Sequence, residues 1–308
     1  MPESDGSRAG ASPLSSSCAL PYGDVAVGIA NGVLGELWQG PVDECVSVIS
    51  LPMERASRAI ATRSSHVIDP TLNMTPLRKA AFRLFEERFG LPGSANYTWS
   101  FDTELITGQG MASSTADIVA LIRCLARIRK ISLEDEDIIN ILAKLKRSDP
   151  VFRIPVTLYK TAEHEIVEEF PRALHLWSCF AVTGPPIPTG GPLDDRILSC
   201  YRHHARQYQS SLNRIREGLR SGDVLRVLDE ASASAMLAQN YLPNPFLERL
   251  YTDLDFLNAG AVSRAHTGSL VGLLFDRPLG TDERQFLSEY FSSNGYTAQF
   301  TKVGSHAF

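Results

Sequence analysis

The chain has 308 residues, which is long enough for two ordinary domains. Hydrophobic residues make up 44% and charged residues 21%, a composition typical of a soluble globular protein. The net charge of -5 excludes a strong basic field for nucleic acid or an anionic membrane surface, and the apolar runs are too short to span a bilayer. We therefore expect neither nucleic acid nor membrane as a partner.

The cysteines indicate a reducing compartment. Five of them are scattered along the chain without C-x-x-C spacing, and their odd number leaves one over from any pairing. Reduced thiols in a cytoplasmic protein are the favoured interpretation. Residues 1–17 are rich in Ser, Gly, Ala and Pro and lack a basic stretch before an apolar one. They are interpreted as a disordered tail and not as a signal peptide.

Strands and one clear helix are predicted in the first hundred residues. Short apolar or alternating runs predict strands at 25–30, 46–52, 59–62 and 97–101. The helix is predicted to take Thr75 as its N-cap, to have Pro76 in its first turn and to end at Gly90.

A glycine-rich loop at 106–118 follows the last of these strands. Gly108 and Gly110 allow a sharp turn and a close approach to a ligand. Apolar residues then repeat at helical spacing, so the loop lies at a helix N-terminus, where free N–H groups and the dipole attract phosphate. The predicted phosphate-binding residues are Gly108, Gly110, Met111, Ala112, Ser113, Ser114 and Thr115. Serine hydroxyls can also hold Mg²⁺, and Ser114 is the candidate metal ligand. The alternative is an ordinary Ser/Gly cap on a buried helix.

This loop is not the usual P-loop, because it lacks a Gly-Lys-Ser/Thr ending, and Ser113 breaks the Gly-x-Gly-x-x-Gly fingerprint. Residues 110–117, Gly-Met-Ala-Ser-Ser-Thr-Ala-Asp, instead resemble the second motif of the GHMP kinases in its PduX-type L-threonine kinase form. Residues 31–40 and 265–272 resemble the first and third motifs of the same family, in the same order along the chain.

The resemblance implies roles for residues of the two outer motifs. Glu36 and Gln39 of the first motif are implied to make polar contacts with the substrate, although a Gly-rich hairpin with a solvated glutamate is the alternative. Thr267, Gly268 and Ser269 of the third motif are implied to offer donors to phosphate or substrate and to help close the site. A simple strand-turn-strand is the alternative there, and we interpret His266 as a polar core residue.

Residues 146–152 are similar to a Glu-Pro-Ser-Asp-Ser-x-x-Phe run of PduX-type kinases. By that resemblance, Asp149 is the candidate carboxylate that orients the substrate hydroxyl or accepts its proton. A turn-capping aspartate remains open as the alternative.

Three positions depart from the family pattern. Lys146 stands where the family has glutamate, Gln109 replaces a lysine, and Ile106 replaces a proline. An ammonium group does not ligate Mg²⁺. The metal is therefore held differently, the substrate has changed, or activity has been lost.

The second half of the chain is mainly helical between strands. Strands are predicted at 174–182 and 297–301, and a strand-turn-strand at 259–275. Helices are predicted at Asp195–Gly218, Ser221–Asn240 and Asp282–Ser293. A Gly-Gly turn at 190–191 is a further weak point of resemblance.

The resemblance implies an α+β protein with the GHMP kinase fold. Residues 18–170 would form an N-terminal ATP-binding domain like the second domain of ribosomal protein S5, and residues 171–308 a ferredoxin-like C-terminal domain. The implied activity is transfer of a phosphoryl group from ATP, with Mg²⁺, to the hydroxyl of L-threonine or a related amino acid or amino alcohol. The partner is thus a small-molecule hydroxyl substrate, and a homodimer is left open. The alternative is a catalytically silent GHMP protein that binds a nucleotide or metabolite.

Overall fold

The computed structural model describes residues 25–66, 69–90, 96–153, 155–187 and 192–304. The predicted tail 1–17 and the Gly-Gly turn lie outside these ranges. The strands are β1 Val25–Val42, β2 Cys45–Arg63, β3 Tyr97–Thr103, β4 Val156–Lys160, β5 Glu165–Phe170, β6 His175–Val182, β7 Ala261–Arg264, β8 Leu270–Phe275 and β9 Gln299–Gly304. The α-helices are α1 Pro76–Phe89, α2 Ser113–Arg129, α3 Asp135–Leu142, α4 Pro192–His203, α5 Ala205–Ser221, α6 Val224–Leu237, α7 Pro245–Thr252 and α8 Thr281–Ser293.

A long hairpin of β1 and β2 forms the centre of the fold. Its two-residue turn has positive φ at both Asp43 and Glu44, the conformation that matches the twist of the flanking strands. The register shifts between Asn31 and Trp38, so β1 is bulged there. Residues 31–40, expected to form a loop or a hairpin turn, are therefore part of a strand. The two strands predicted at 46–52 and 59–62 are one continuous strand.

The sheet of the second half has the ferredoxin-like order. Strands β7, β8, β6 and β9 are neighbours in that order, all antiparallel, and the chain sequence is strand, helices, two strands, helix, strand. β9 and β7 then join the hairpin, at Met53 opposite Val303 and Glu36 opposite Arg264. The chain therefore has the α+β architecture that the sequence predicts. The domain boundary at residue 170 stays a prediction.

Local signals placed α1 correctly. Thr75 accepts a hydrogen bond from the Arg78 amide at 3.3 Å, Pro76 opens the helix, and Gly90 ends it in the left-handed conformation. In contrast, the helix predicted from Asp195 to Gly218 is broken at His204 into α4 and α5.

Helix α2 packs directly on the hairpin. A Cβ at Gly28 of β1 would collide with the backbone of Ala120 and Cys124, so glycine is required at this close approach. Most of the side chains of α2 are buried. Its N-terminus is thereby held rigidly beside the second half of β1. Among the residues that the structure describes, every helix falls short of the length and apolar character needed to cross a membrane.

Candidate active site

A cavity of about 540 Å³ lies where β1, the glycine-rich loop, the segment after α3 and the start of α4 meet. Its wall contains most of the residues singled out in the sequence, from all three motifs and the Asp149 segment. These are Glu36, Gln39, Gly108, Gly110, Met111, Ala112, Ser113, Ser114, Thr115, Asp149 and Thr267. Gly268 and Ser269 lie outside the wall.

The glycine-rich loop wraps around the N-terminus of α2. Gly108, Gly110 and Ala112 all have positive φ, and Ala112 is the N-cap without a side-chain hydrogen bond to the helix. The Met111 carbonyl accepts a hydrogen bond from the Val33 amide of β1 at 3.2 Å, which anchors the loop. The first turn of α2 therefore faces the cavity and favours an anion there.

The third motif packs against the backbone of the glycine-rich loop. A Cβ on Gly268 would collide with the Gln109 carbonyl and lie 2.6 Å from the Gly110 amide nitrogen. The Ser269 hydroxyl donates to the Gln109 side chain and to the Gly184 carbonyl, the latter at 2.9 Å. Gly268 and Ser269 thus shape the loop, and their implied contact with substrate stays a prediction.

Glu36 belongs to a buried polar network. One of its oxygens, Oε2, accepts from the His266 backbone N–H at 2.9 Å and lies 3.0 Å from His266 Nδ1. His266 Nε2 in turn lies 3.2 Å from the Ser234 hydroxyl oxygen, and that oxygen accepts a hydrogen bond from the backbone N–H of Gln39. The Gln39 side chain donates to the Tyr201 hydroxyl at 2.7 Å. Glu36 is 5% exposed, so it is not a solvated hairpin glutamate, and His266 is a polar core residue.

Asp149 lies on the cavity wall in a weakly solvated position. Burial first, and then the charge of Glu36, raises the pKa of Asp149 to about 6, while Lys146 and Arg147 oppose that rise. The Val151 amide donates to the Asp149 carbonyl at 2.9 Å, so a turn does form here. The alternative of a turn-capping aspartate therefore stays open, and the chain continues from this turn to β4.

Two cations lie next to Asp149 along the chain. Lys146 Nζ donates a hydrogen bond to the Ser114 hydroxyl at the start of α2. Burial lowers the pKa of Lys146, and Asp149 and Asp117 oppose that shift. Arg147 forms an ion pair of 3.4 Å with Asp194 in the first turn of α4. The cavity therefore presents both signs of charge within one wall.

Comparison with known proteins relates this chain to a family of kinases. Residues 76–152 match the family model described as the GHMP kinases N terminal domain. The L-threonine kinase of Salmonella typhimurium is 25% identical over 266 residues, which cover 82% of this chain and 84% of that protein. Residues 76–152 thus match the N-terminal domain of the GHMP kinases, and most of the chain is similar to an L-threonine kinase. These matches support phosphoryl transfer as the chemistry of the cavity.

Solved kinase structures have the same fold as this chain, so the predicted GHMP kinase fold is confirmed. The mevalonate kinase of L. major in complex with R-mevalonate matches with a TM-score of 0.66 at 14% identity, over 94% of this chain and 99% of that one. The phosphomevalonate kinase of Streptococcus pneumoniae, in complex with phosphomevalonate and AMPPNP, matches with a TM-score of 0.64 at 12% identity, over 90% and 99%. That phosphomevalonate kinase holds AMPPNP, an ATP analogue. For this chain, the family match implies ATP binding.

A protein-bound Mg²⁺ beside Ser114 does not fit the residues that surround it. The Ser114 hydroxyl already accepts from Lys146. Asp117 pairs with Arg78 at 2.5 Å and with the Ser57 hydroxyl. Among the described residues, no group of three or more His, Cys, Asp or Glu side chains is arranged to hold a metal. The candidate metal ligand Ser114 therefore gains no support from the geometry.

Several wall residues were missed by sequence reasoning. The sequence analysis assigns no role to Arg147 or Asp194, and both lie on the wall. The charges at 147 and 194 are 47 residues apart, and no local pattern indicates their pairing. In the sequence, the acidic first turn of α4 is the signal that could have pointed to a charge partner there.

Removing the support of the loop should weaken nucleotide binding. We expect Gly268→Ala to lower the affinity for an ATP analogue at least ~10-fold, because the added Cβ pushes the Gln109–Gly110 backbone and misaligns the N–H groups at the start of α2. Gly280→Ala is the matched control, because a Cβ there meets nothing within 4 Å. Calorimetric titration measures both. Equal affinities in the two variants would refute this role of the third motif.

Proposed function

We propose that this GHMP kinase transfers the γ-phosphoryl group of ATP to the hydroxyl of L-threonine or a closely related amino acid or amino alcohol. The observation that supports it most is a single cavity in which a helix N-terminus faces a weakly solvated carboxylate, Asp149. The L-threonine kinase of Citrobacter freundii, 26% identical over 82% of this chain, also supports this choice of acceptor.

The phosphate side of the cavity is the loop 108–115. Its glycines bring backbone close to the ligand, and the α2 N-terminus supplies N–H groups and a positive dipole end. A polyphosphate placed there would direct its terminal phosphate toward Ser114 and Asp149.

The side of the cavity proposed to bind the acceptor carries one positive and one negative side chain, which suit a zwitterionic amino acid. Arg147 offers a planar fork that matches an α-carboxylate, and Asp194 offers a partner for an α-ammonium group. A zwitterion bound here would exchange this one ion pair of 3.4 Å for two. Glu36 offers its second oxygen from a fixed position, since its first is hydrogen-bonded to His266. The volume of about 540 Å³ is in the range of small-molecule sites.

In the proposed reaction, the acceptor hydroxyl oxygen attacks the γ-phosphorus, and the bond from that phosphorus to the β–γ bridging oxygen breaks to release ADP. Asp149 orients the hydroxyl and takes its proton as the new O–P bond forms. A carboxyl group with a pKa of about 6 is ionised at neutral pH and still basic enough for this role. Lys146 and the α2 N-terminus stabilise the negative charge on the transferred group.

A pooled substrate assay tests the proposal. Purified protein is incubated with Mg-ATP and a mixture of L-threonine, L-serine, L-homoserine and small amino alcohols, and mass spectrometry identifies any phosphorylated member. We expect phospho-L-threonine as the main product. If nucleotide binds and no acceptor is phosphorylated, the silent nucleotide-binding alternative replaces this proposal.

A further inference from the structure

Lys146 places a positive charge beside the glycine-rich loop, at the point of the cavity where the loop would bind an anion. Its segment leaves α3 with the Lys146 amide donating to the Leu142 carbonyl at 3.1 Å, which fixes the backbone. The side chain then reaches across to the Ser114 hydroxyl in the first turn of α2. Both Lys146 and Ser114 line the cavity. The ammonium group and the helix N-terminus therefore act on the same point in space.

The carboxylates near Lys146 offset its charge only in part. Asp149 favours the charged form of Lys146, and Arg147 opposes it with a second positive charge on the same segment. Asp117 is held by Arg78 and Ser57, so that carboxylate is already paired. Burial still lowers the pKa of Lys146, which indicates that its charged form is imperfectly solvated. A phosphate anion placed against Ser114 would supply a direct partner.

The same geometry leaves little place for a cation bound by the protein. A divalent ion beside Ser114 would stand next to the Lys146 ammonium group, and like charges in a partly buried site repel strongly. Of the wall carboxylates, Asp194 is paired with Arg147 and Glu36 shares Oε2 with His266, so only Asp149 and the second Glu36 oxygen are left to hold the ion. Mg²⁺ ordinarily takes one or two protein carboxylates together with substrate phosphates and waters.

We propose that Lys146 replaces a protein-bound Mg²⁺ as the cation that neutralises the terminal phosphate of the nucleotide at the loop. The inference rests on the proposed function, because it assumes that the anion is the polyphosphate of ATP. It has a direct consequence for binding: the protein holds the nucleotide through Lys146, Ser114 and the α2 N-terminus, and any Mg²⁺ is carried by the phosphates without a bond to the protein.

Binding of a non-hydrolysable ATP analogue, AMPPNP, with and without Mg²⁺ tests this. Calorimetric titrations are run in EDTA and in excess Mg²⁺. For the unaltered protein we expect the two affinities to agree within about 10-fold. Lys146→Met should lower the affinity in EDTA by ~10–100-fold, the range for a hydrogen bond to a charged group. Lys146→Arg, which keeps the cation, should retain most of the metal-free binding.

Reversal of the charge gives the sharpest contrast. Lys146→Glu should abolish detectable binding in EDTA and make it depend on Mg²⁺, because the new carboxylate repels free polyphosphate and can ligate a metal beside Ser114. Electron paramagnetic resonance of Mn²⁺ without nucleotide should show binding to this variant and none to the unaltered protein. Lys144→Glu is the matched control, because Lys144 is an exposed residue of the same segment, and it should behave like the unaltered protein.

Two results would overturn the inference, and they are distinguishable. If the unaltered protein loses more than about 100-fold in EDTA and Lys146→Met has no effect, Lys146 is not the cation, and the kinase proposal stands. If no variant binds AMPPNP under either condition while thermal melts show folded protein, the proposed function fails together with the inference.

Discussion

Asp149→Asn is expected to lower kcat at least ~100-fold without weakening nucleotide binding. The amide keeps the size of the side chain but cannot take the proton of the acceptor hydroxyl. Steady-state kinetics with the acceptor found in the pooled assay, together with AMPPNP titration, separate the two effects. Asp229→Asn is the matched control, since Asp229 is exposed on α6, away from the cavity wall. Near-normal turnover in the Asp149 variant would remove this residue from the mechanism.

The pH dependence gives an independent check of Asp149. Because its pKa is raised to about 6, the ionised form that accepts a proton is present above pH 6 and is lost below it. We expect kcat/KM to rise with pH through about 6 and then level off, and we expect the residual activity of Asp149→Asn to lack that step. A profile that is flat between pH 5 and pH 7 would contradict the assignment.

Asp149 also affects stability, with a sign that follows from the same shift. Its pKa is higher in the folded than in the unfolded protein, so the folded state binds the proton more tightly. The stabilisation is complete below the ordinary value of 3.8 and is lost as pH rises through about 6. At pH 7 the ionised carboxylate therefore costs stability. Asp149→Asn should melt at a higher temperature than the unaltered protein at pH 7, while losing activity.

Glu36→Ala is expected to lower the free energy of unfolding by about 2–4 kcal/mol, the second large effect. The substitution leaves the backbone N–H of His266 and its Nδ1 buried without their acceptor. Chemical denaturation measures the loss. Glu87→Ala on the exposed face of α1 is the control and should change stability by less than about 0.5 kcal/mol. A loss for Glu36→Ala no larger than that of the control would show that the network does not stabilise the fold.

Glu36→Gln separates packing from charge. The amide oxygen can still accept from the His266 backbone, so the stability loss should be smaller than for alanine. Removing the Glu36 charge also removes one cause of the raised pKa of Asp149, so the rise of kcat/KM should move to lower pH. If kcat/KM of the Glu36→Gln variant still rises at about pH 6, the Glu36 charge does not contribute to the raised pKa of Asp149.

The sequence by itself determined the parts of the protein that rest on local rules. Thr75, Pro76 and Gly90 bound α1 because capping and backbone preferences act within a few residues. The glycine-rich loop was placed at a helix N-terminus because glycine spacing and apolar periodicity are both readable in one stretch. The family resemblance then predicted the order of the motifs and hence the fold.

The tertiary structure decided which chemical groups meet. Glu36 and His266 are 230 residues apart, Lys146 and Ser114 are 32 apart, and Arg147 and Asp194 are 47 apart. No local pattern fixes such pairs, because each depends on how β1, α2 and α4 pack against one another. The sequence revealed that a lysine stands at position 146 in place of a glutamate. Its contact with Ser114, which follows from the packing of α3 beside α2, is what turns that substitution into a hypothesis about how the phosphate is held.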